Sequence, residues 1–251
     1  MEVPYPHGFD ASKNVVIKVH ASSVNPVDKI LLSGDLKLVF PVAEFPHVIS
    51  YDVAGVVEKA DSKGVFSVGQ PVFARVWSDV DDDKKTPWFR GTMAEFCVAR
   101  TSDVVTKPDN ISFEEAASIP LAGMTAFQVL KESGLKEGDS VFISGGAGGV
   151  GTMAIQLAKH VFKAGLVVTT ASKGEKMDLC KSLGADEVLD YKSESFVTAY
   201  GNDDSTKFDV CFDTTAEGLE MVKIIKEGGR IVSIAGTPTL DEIRRIGGTA
   251  W

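Results

Sequence analysis

The sequence lacks several features that define large classes of protein. Its 251 residues include only three cysteines, Cys97, Cys180 and Cys211, and none of them forms a Cys-x-x-Cys pair. This odd, unpaired set argues against a disulfide scaffold and a structural zinc site, and it predicts buried thiols in a reducing compartment. No uncharged apolar run reaches the roughly 18 residues of a membrane span. The N-terminus lacks a basic segment followed by an apolar run, so no signal peptide is predicted. We therefore expect a cytoplasmic protein without membrane insertion.

Positive charge is also scarce. The chain has 26 lysines and arginines against 35 aspartates and glutamates, for a net charge of −9. Such a chain is poorly suited to nucleic acid or an anionic membrane as its main partner, although a local basic patch stays possible. The hydrophobic share of 44% and the charged share of 24% are ordinary for a globular protein. The length predicts one to two domains.

The first part of the chain, to about residue 108, has the pattern of a β-rich module. Strands are predicted over Asn14 to His20, Val53 to Lys59, Val72 to Trp77 and Thr92 to Ala99, where β-branched residues and alternation are frequent. Residues 78–90 carry a run of aspartates and lysines. We interpret that run as a solvated loop and not as a metal site.

Beyond Pro108 helices and strands alternate. Ser112 and Glu115 have the spacing of a capping box, Pro120 interrupts that helix, and a second helix is predicted over 124–133 with Gly134 as its end. Further strands are predicted over 140–144, 166–170, 187–189, 208–212 and 230–235, with helices over 149–161 and 173–183. Such alternation predicts a doubly wound parallel sheet. The predicted fold is therefore α/β, with a β-rich domain over 1–108 and a parallel-sheet domain over 109–251.

The segment 141–151, VFISGGAGGVG, is the most informative part of the sequence. Gly146, Gly148 and Gly151 have the spacing of the dinucleotide-binding fingerprint, and they follow an apolar strand and open a helix. Glycine lets the backbone approach a pyrophosphate, while the helix N-terminus offers N–H groups and a positive dipole. The alternative is a tight strand–helix turn without a ligand. A Walker A loop is excluded, because no Gly-Lys-Ser/Thr follows.

The end of the next strand indicates which dinucleotide binds. It reads Thr169-Thr170-Ala171-Ser172-Lys173, and the first carboxylate after it is Glu175. NAD enzymes usually carry an acidic residue there for the ribose hydroxyls, whereas hydroxyls and the ammonium groups of Lys173 and Lys176 suit the 2′-phosphate of NADP(H). We therefore predict NADP(H). Alternatively, Ser172 only caps a helix and the lysines are solvated.

Several motifs in this order resemble the medium-chain dehydrogenase/reductase superfamily, specifically its zinc-free, zeta-crystallin-like quinone oxidoreductase branch. They are ASSVNPVD (21–28), PHVISYDVAGVV (46–57), SFEEAASIPLAGMTAFQVL (112–130), the glycine turn, SLGADEVLDY (182–191), FDVCFDTTAEG (208–218) and GGRIVSIAG (228–236). The resemblance implies a GroES-like catalytic domain and a Rossmann domain, with NADPH between them. The zinc-binding cysteine and histidine of alcohol dehydrogenases are missing, so no metal is expected. Ser50 stands where the family usually has glycine.

The resemblance also implies residue roles. Asn25, Asp28 and Tyr51 are expected at the nicotinamide and substrate end; alternatively, Asn25 sets a turn, Asp28 caps a helix and Tyr51 is a wall residue. The residues expected to bind the cofactor are Thr125, Gly146, Ala147, Gly148, Gly149, Val150, Gly151, Thr170, Ser172, Lys176, Tyr191, Asp213, Thr214, Thr215, Ala235 and Gly236. For Tyr191, core packing is the alternative. The four histidines, His7, His20, His47 and His160, have no paired ligand spacing and are expected to be structural or exposed.

The implied activity is hydride transfer from NADPH to a quinone or an α,β-unsaturated carbonyl, acceptors that are electrophilic without a metal. Two alternatives stay open: an NADPH-binding regulatory or RNA-binding protein with weak catalysis, and a zinc-free enoyl reductase acting on acyl thioesters. Family members usually begin about 20 residues earlier and continue well past Gly236, so we expect a chain truncated at both ends. The missing edge strand often builds the family's dimer, and a homodimer is expected only if that strand is present.

Overall fold

The computed structural model describes residues 5–6, 9–34, 48–76 and 91–236. The chain divides into two compact units between Leu121 and Ala122. The predicted acidic loop at 78–90, the end of the third predicted strand at Trp77, and His7 and His47 lie outside the described residues.

The first unit is built on an antiparallel five-stranded sheet with the order β4-β1-β2-β3-β5. Its strands are β1 (Asn14–Ser23), β2 (Asp52–Lys59), β3 (Pro71–Arg75), β4 (Phe96–Arg100) and β5 (Val104–Thr106). Two helices, α1 (Pro26–Ser33) and α2 (Phe113–Ala117), belong to the same unit. Alternation along the strands buries Val15, Ile17, Val53 and Val57 in one core. The β-rich prediction for this part of the chain is confirmed.

The second unit is a parallel five-stranded sheet with the order β10-β9-β6-β7-β8. Its strands are β6 (Ser140–Ile143), β7 (Leu166–Ala171), β8 (Glu187–Asp190), β9 (Phe208–Asp213) and β10 (Ile225–Ser233). The helices that follow in chain order are α3 (Pro120–Glu132), which begins in the first unit, α4 (Gly149–Gln156), α5 (Glu175–Ser182), α6 (Phe196–Tyr200) and α7 (Gly218–Met221). The strand order reverses between β6 and β9, which is where doubly wound sheets bind their ligands.

One predicted helix start is confirmed, and two others differ from the prediction by a few residues. The capping box is confirmed, since Ser112 N donates to Glu115 Oε2 at 2.7 Å and Glu115 N donates to Ser112 Oγ at 3.1 Å. Helix α3 begins at Pro120 and not at residue 124, because proline is well suited to the first helical position. Helix α5 begins at Glu175 after Gly174, whose φ is 93°. The helix predicted to Val161 continues past α4 as a π-turn over Leu157–Val161.

Some strands also begin at residues other than the predicted ones, in one case because of a tertiary contact. The strand predicted from Thr92 begins only at Phe96, because the backbone N–H groups of Thr92 and Met93 donate to the carbonyl of Ile49. Strand β10 begins at Ile225, earlier than residue 230. The short elements β5, α6 and α7 were not predicted.

The three cysteines are free and fully buried, as predicted. Cys97 lies in the core of the first unit, and Cys180 and Cys211 lie in cores of the second. The compact units divide later than residue 108, because α2 packs on β1 and β2. That the two parts are independent domains with a boundary at 108 stays a prediction.

Candidate functional site

Asp28 joins the start of α1 to the loop before β2. Asn25 is the N-cap of α1, and its backbone N donates to Asp28 Oδ2 at 2.7 Å. Asp28 Oδ1 accepts from Ser50 N at 3.0 Å, and the residue is 2% exposed. Both carboxylate oxygens are thus bound to backbone N–H groups. This arrangement matches the alternative that Asp28 caps a helix, and contact with a substrate stays a prediction.

Ser50 has a left-handed backbone, with φ at 75°. Glycine adopts this conformation without strain, which fits the glycine that the family resemblance leads us to expect there. Here the hydroxyl of Ser50 donates to the carbonyl of Ser23 and accepts from Ser22 Oγ at 3.1 Å. These hydrogen bonds, with the one to Asp28, hold the backbone that precedes Tyr51.

Asp52 is a functional candidate that the sequence reasoning missed. It opens β2 and is fully buried. Its Oδ2 accepts from Asn25 Nδ2 and from Ser23 Oγ, each at 2.8 Å, and its Oδ1 accepts from Leu121 N at 2.8 Å. Burial raises the pKa of Asp52, although these hydrogen bonds and the charge of Arg75 act in the opposite direction. An acidic residue directly before the apolar run VAGVV (53–57) was the available signal.

The side chain of Tyr51 is partly buried, and its phenol is close enough to Asp28 to interact with the charge of that carboxylate. Burial raises the pKa of the phenol above the usual value of 10.0, the negative charge of Asp28 adds to that effect, and the charge of Arg75 opposes it. The phenol therefore keeps its proton at neutral pH and is able to donate it or to form a hydrogen bond. In the same unit His20 is exposed and stacks on Phe113, with ring centroids 4.4 Å apart.

In the glycine turn of the second unit, some glycines are needed because a side chain would collide with the protein, and another faces open space. A Cβ on Gly146 would lie 2.2 Å from Thr169 Oγ1, and a Cβ on Gly151 would lie 2.3 Å from the carbonyl oxygen of Gly145. A Cβ on Gly149 would meet no heavy atom of the described residues within 4 Å outside its own helix and chain neighbours. Gly146 and Gly151 thus permit the turn itself. The close neighbours of Gly151 are Gly145 and Gly146, so its missing side chain lets the start of α4 approach the turn that follows β6.

The N-terminus of α4 lies at this open surface. Gly148 is the N-cap, and the first bond of the helix runs from Thr152 N to the carbonyl of Gly148 at 2.9 Å. The N–H groups of Gly149, Val150 and Gly151 precede that bond and are suited to an anion. Ala147 and Val150 are partly buried against the core of the unit. The absence of a side chain at Gly149 leaves room for a pyrophosphate, so these residues fit a dinucleotide.

Thr170 supports the glycine turn from the neighbouring strand. Its Oγ1 accepts from Gly145 N at 2.9 Å, its carbonyl accepts from Gly146 N at 2.9 Å, and the residue is buried. Thr170 thus stabilises the glycine turn through both its hydroxyl and its carbonyl, and direct contact with a cofactor stays a prediction.

The residues expected at the adenosine phosphate follow two neighbouring parallel strands. Ser172 comes directly after β7, Lys176 lies in the first turn of α5, and Tyr191 comes directly after β8. Gly174 is the N-cap of α5, so the alternative that Ser172 caps this helix is wrong. Tyr191 is 57% exposed, so it does not belong to the core. Lys176 is also exposed, and its ammonium group is available to a phosphate.

Asp213 organises the strand ends at the switch point between β6 and β9. It is fully buried, and its Oδ1 accepts from Thr215 N at 3.0 Å while its Oδ2 accepts from Ser233 Oγ at 2.8 Å. Thr214 Oγ1 donates to the carbonyl of Ser144 at 2.7 Å. The loops after β6, β9 and β10 are thereby tied together beside the glycine turn.

Three further predicted residues occupy less informative places. Ala235 and Gly236 follow β10, and Ala235 N donates to Ser233 Oγ at 3.3 Å. Thr125 is partly buried on α3.

Within the described parts of the chain no cluster of three or more histidine, cysteine or acidic side chains could hold a metal ion. No helix in those parts is long and apolar enough to cross a membrane.

Two family models match the two parts of the chain. The model of the alcohol dehydrogenase GroES-like domain matches residues 11–109, and the model named zinc-binding dehydrogenase matches residues 149–246. An antiparallel module followed by a dinucleotide-binding parallel sheet defines the class of medium-chain dehydrogenases and reductases. The chain belongs to this superfamily, in its zinc-free branch of quinone reductase-like proteins.

Individual relatives agree with this assignment. The chain is 42% identical over 227 residues to 2-methylene-furan-3-one reductase of Solanum lycopersicum, covering 90% of this chain and 55% of that protein. It is 40% identical over 226 residues to the chloroplastic NADPH-dependent alkenal/one oxidoreductase of Arabidopsis thaliana, covering 90% and 56%. The structure of the quinone oxidoreductase from Coxiella burnetii is 32% identical with a TM-score of 0.75, covering 98% of this chain and 73% of that one. The chain thus spans about half the length of the curated relatives.

Proposed function

We propose that this protein is an NADPH-dependent reductase of α,β-unsaturated carbonyl compounds, with quinones as the second acceptor class. The observation that carries the proposal is the open glycine turn at the N-terminus of α4, next to a β7 end that has hydroxyls and lysines in place of a carboxylate. Two curated relatives are named as a 2-methylene-furan-3-one reductase and an alkenal/one oxidoreductase, and a structural relative is named as a quinone oxidoreductase. These names support both acceptor classes.

In this proposal, different residues bind the cofactor, orient the reactants and protonate the product. When bound, NADPH supplies a hydride, which makes the protein's task one of binding, orientation and exclusion of water. The N–H groups at the start of α4 would hold the pyrophosphate, and Ser172, Lys176 and Tyr191 would surround the 2′-phosphate. Asn25 would orient the reactants. Tyr51, whose phenol keeps its proton because burial raises its pKa, would protonate the reduced product.

Turnover with a panel of acceptors tests the proposal. NADPH consumption is measured with acrolein, 1,4-benzoquinone and 9,10-phenanthrenequinone, and NADH serves as the comparison. We expect turnover with acrolein and at least one quinone, and a preference for NADPH. A folded, NADPH-bound protein that reduces none of the three would contradict the proposal. The homodimer, the absence of a nucleic acid partner and the cytoplasmic location stay predictions.

The contribution of Lys176 gives the first specific prediction. Replacing it with alanine removes a charge-assisted contact, and we expect the KM for NADPH to rise about tenfold while the KM for NADH stays constant. Lys181→Ala is the matched control, since Lys181 is an exposed lysine at the other end of the same helix. Equal KM changes for both cofactors in Lys176→Ala would refute the assignment of the phosphate pocket.

A further inference from the structure

The buried carboxylate of Asp52 links three segments of the first unit. Its two oxygens receive hydrogen bonds from Asn25 before α1, from Ser23 at the end of β1 and from the backbone of Leu121 in α3. The register of the sheet brings two of these groups together, since Ser23 lies opposite Asp52 in the pairing of β1 with β2. A fully buried acid with this set of partners holds its neighbours in one arrangement.

This arrangement decides which way the Asn25 amide points. An ionised carboxylate only accepts hydrogen bonds, so the NH₂ group of Asn25 must face Asp52, and the opposite orientation would place two acceptor oxygens together. The Asn25 Nδ2 to Asp52 Oδ2 distance of 2.8 Å is that of a charge-assisted bond. The amide oxygen of Asn25 therefore lies on the far side of the group. The capping box of α1 brings this oxygen near the backbone N–H of Asp28, but no hydrogen bond found among the described residues uses it. Because a carbonyl oxygen has two lone pairs and Asn25 is partly exposed, this oxygen is able to accept from a further donor.

We propose that Asp52 is a positioning residue that presents the amide oxygen of Asn25 as a hydrogen-bond acceptor to an N–H or O–H donor of the bound reactants. The inference rests on the proposed function, because it concerns the reductase reaction. A purely structural Asp52 would serve only Ser23 and the start of α3, and its replacement would alter stability without a specific effect on Asn25. Exchanging donor and acceptor in the hydrogen bond between Asn25 and Asp52 distinguishes the positioning role from the purely structural role.

The experiment compares Asp52→Asn, Asn25→Asp and the double swap that combines them. In Asp52→Asn the partner of Asn25 either donates or accepts, so the amide is no longer fixed, and we expect kcat/KM to fall about tenfold. In Asn25→Asp two carboxylates meet, so activity is lost at neutral pH and returns as the pH falls and they share a proton. In the double swap the amide introduced at position 52 donates to the carboxylate introduced at position 25. That carboxylate keeps an acceptor oxygen for the reactants, so kcat/KM recovers relative to both single variants.

Asp61→Asn is the matched control. Asp61 is 5% exposed in the same unit, and its carboxylate accepts from the backbone N–H groups of Lys63, Val65 and Phe66. We expect it to lower the melting temperature without changing kcat or KM. A double swap no more active than Asp52→Asn, or an Asp52→Asn enzyme with wild-type kinetics, would overturn the inference. If Asp52→Asn does not fold, an Asn25→Asp pH profile parallel to that of the wild type overturns it instead.

A readout independent of turnover separates this inference from the proposed function. In NMR spectra, the side-chain NH₂ signals of Asn25 should titrate with Asp52 and change in Asp52→Asn. A wild-type protein that reduces no acceptor refutes the proposed function. Asn25 signals that do not respond to either perturbation refute the hydrogen-bonded positioning of Asn25, whatever the activity is.

Discussion

At the scale of single residues, Ser50 shows how a departure from the family pattern is accommodated. A left-handed backbone costs a residue with a side chain about 1–2 kcal/mol relative to glycine. Hydrogen bonds to Ser23 and from Ser22 offset part of this strain, and the backbone N of Ser50 donates to Asp28. The sequence shows the serine in place of the expected glycine, but the partners that compensate for it are distant in the chain.

Two substitutions separate the strain from the hydrogen bonds of Ser50. Ser50→Ala keeps the left-handed strain and loses the hydroxyl, whereas Ser50→Gly loses both. We therefore expect Ser50→Ala to be less stable than Ser50→Gly by about 1 kcal/mol, measured by urea denaturation. Equal free energies of unfolding for the two variants would show that the backbone there is not strained.

At the scale of elements, the segment that joins β6 to α4 contains one glycine that the fold requires, Gly151, and one glycine that we assign to cofactor binding, Gly149. Gly151 approaches the carbonyl of Gly145, so Gly151→Ala forces the start of α4 away from the turn, and we expect a loss of about 1–3 kcal/mol in unfolding free energy. Gly149 faces open space, so Gly149→Ala should fold normally. Its new methyl group enters the space that we assign to the pyrophosphate, so NADPH binding should weaken about tenfold.

Denaturation curves and NADPH fluorescence titrations of the two variants give both quantities. Each variant is the control of the other, since both add one methyl group to the same helical turn. Tight NADPH binding by Gly149→Ala would mean that this face of the turn does not receive the cofactor.

Local patterns predicted most strands and the helix starts that depend on nearby residues, such as the capping box of Ser112 and Glu115. They failed where a distant segment competes for backbone hydrogen bonds, as at Thr92 and Met93, which bind the carbonyl of Ile49. They also failed for elements as short as β5 and α7, which carry too few residues to show a period.

At the scale of the whole molecule, the three cysteines are distributed so that the exposure of each thiol reveals the unfolding of one of the two compact units. Cys97 is buried in the first unit, and Cys180 and Cys211 are buried in the second. Burial raises the pKa of each thiol, that of Cys97 to about 12, so none forms a reactive thiolate in the folded protein at neutral pH.

Thiol labelling during urea unfolding tests whether the units are independent domains. We expect no reaction with Ellman's reagent in the native state, and labelling of one thiol and of two thiols in separate transitions. NADPH at about 100 times its Kd should stabilise only the two-thiol transition, by about 2.7 kcal/mol. Cys97→Ala identifies the one-thiol step. A single transition for all three thiols, shifted as a whole by NADPH, would contradict independent domains.

The sequence by itself determined the class of fold and the candidate dinucleotide turn, because strand periods, glycine spacing and the missing carboxylate after β7 are properties of neighbouring residues. It also identified Asn25, Asp28 and Tyr51 as candidates through family resemblance. Only the tertiary structure showed which hydrogen bonds Asn25 and Asp28 make. The antiparallel register places Ser23 opposite Asp52, and this pairing assembles a network of buried carboxylates from segments that are far apart in the chain. Such a network depends on long-range pairing, which no local pattern in the sequence specifies.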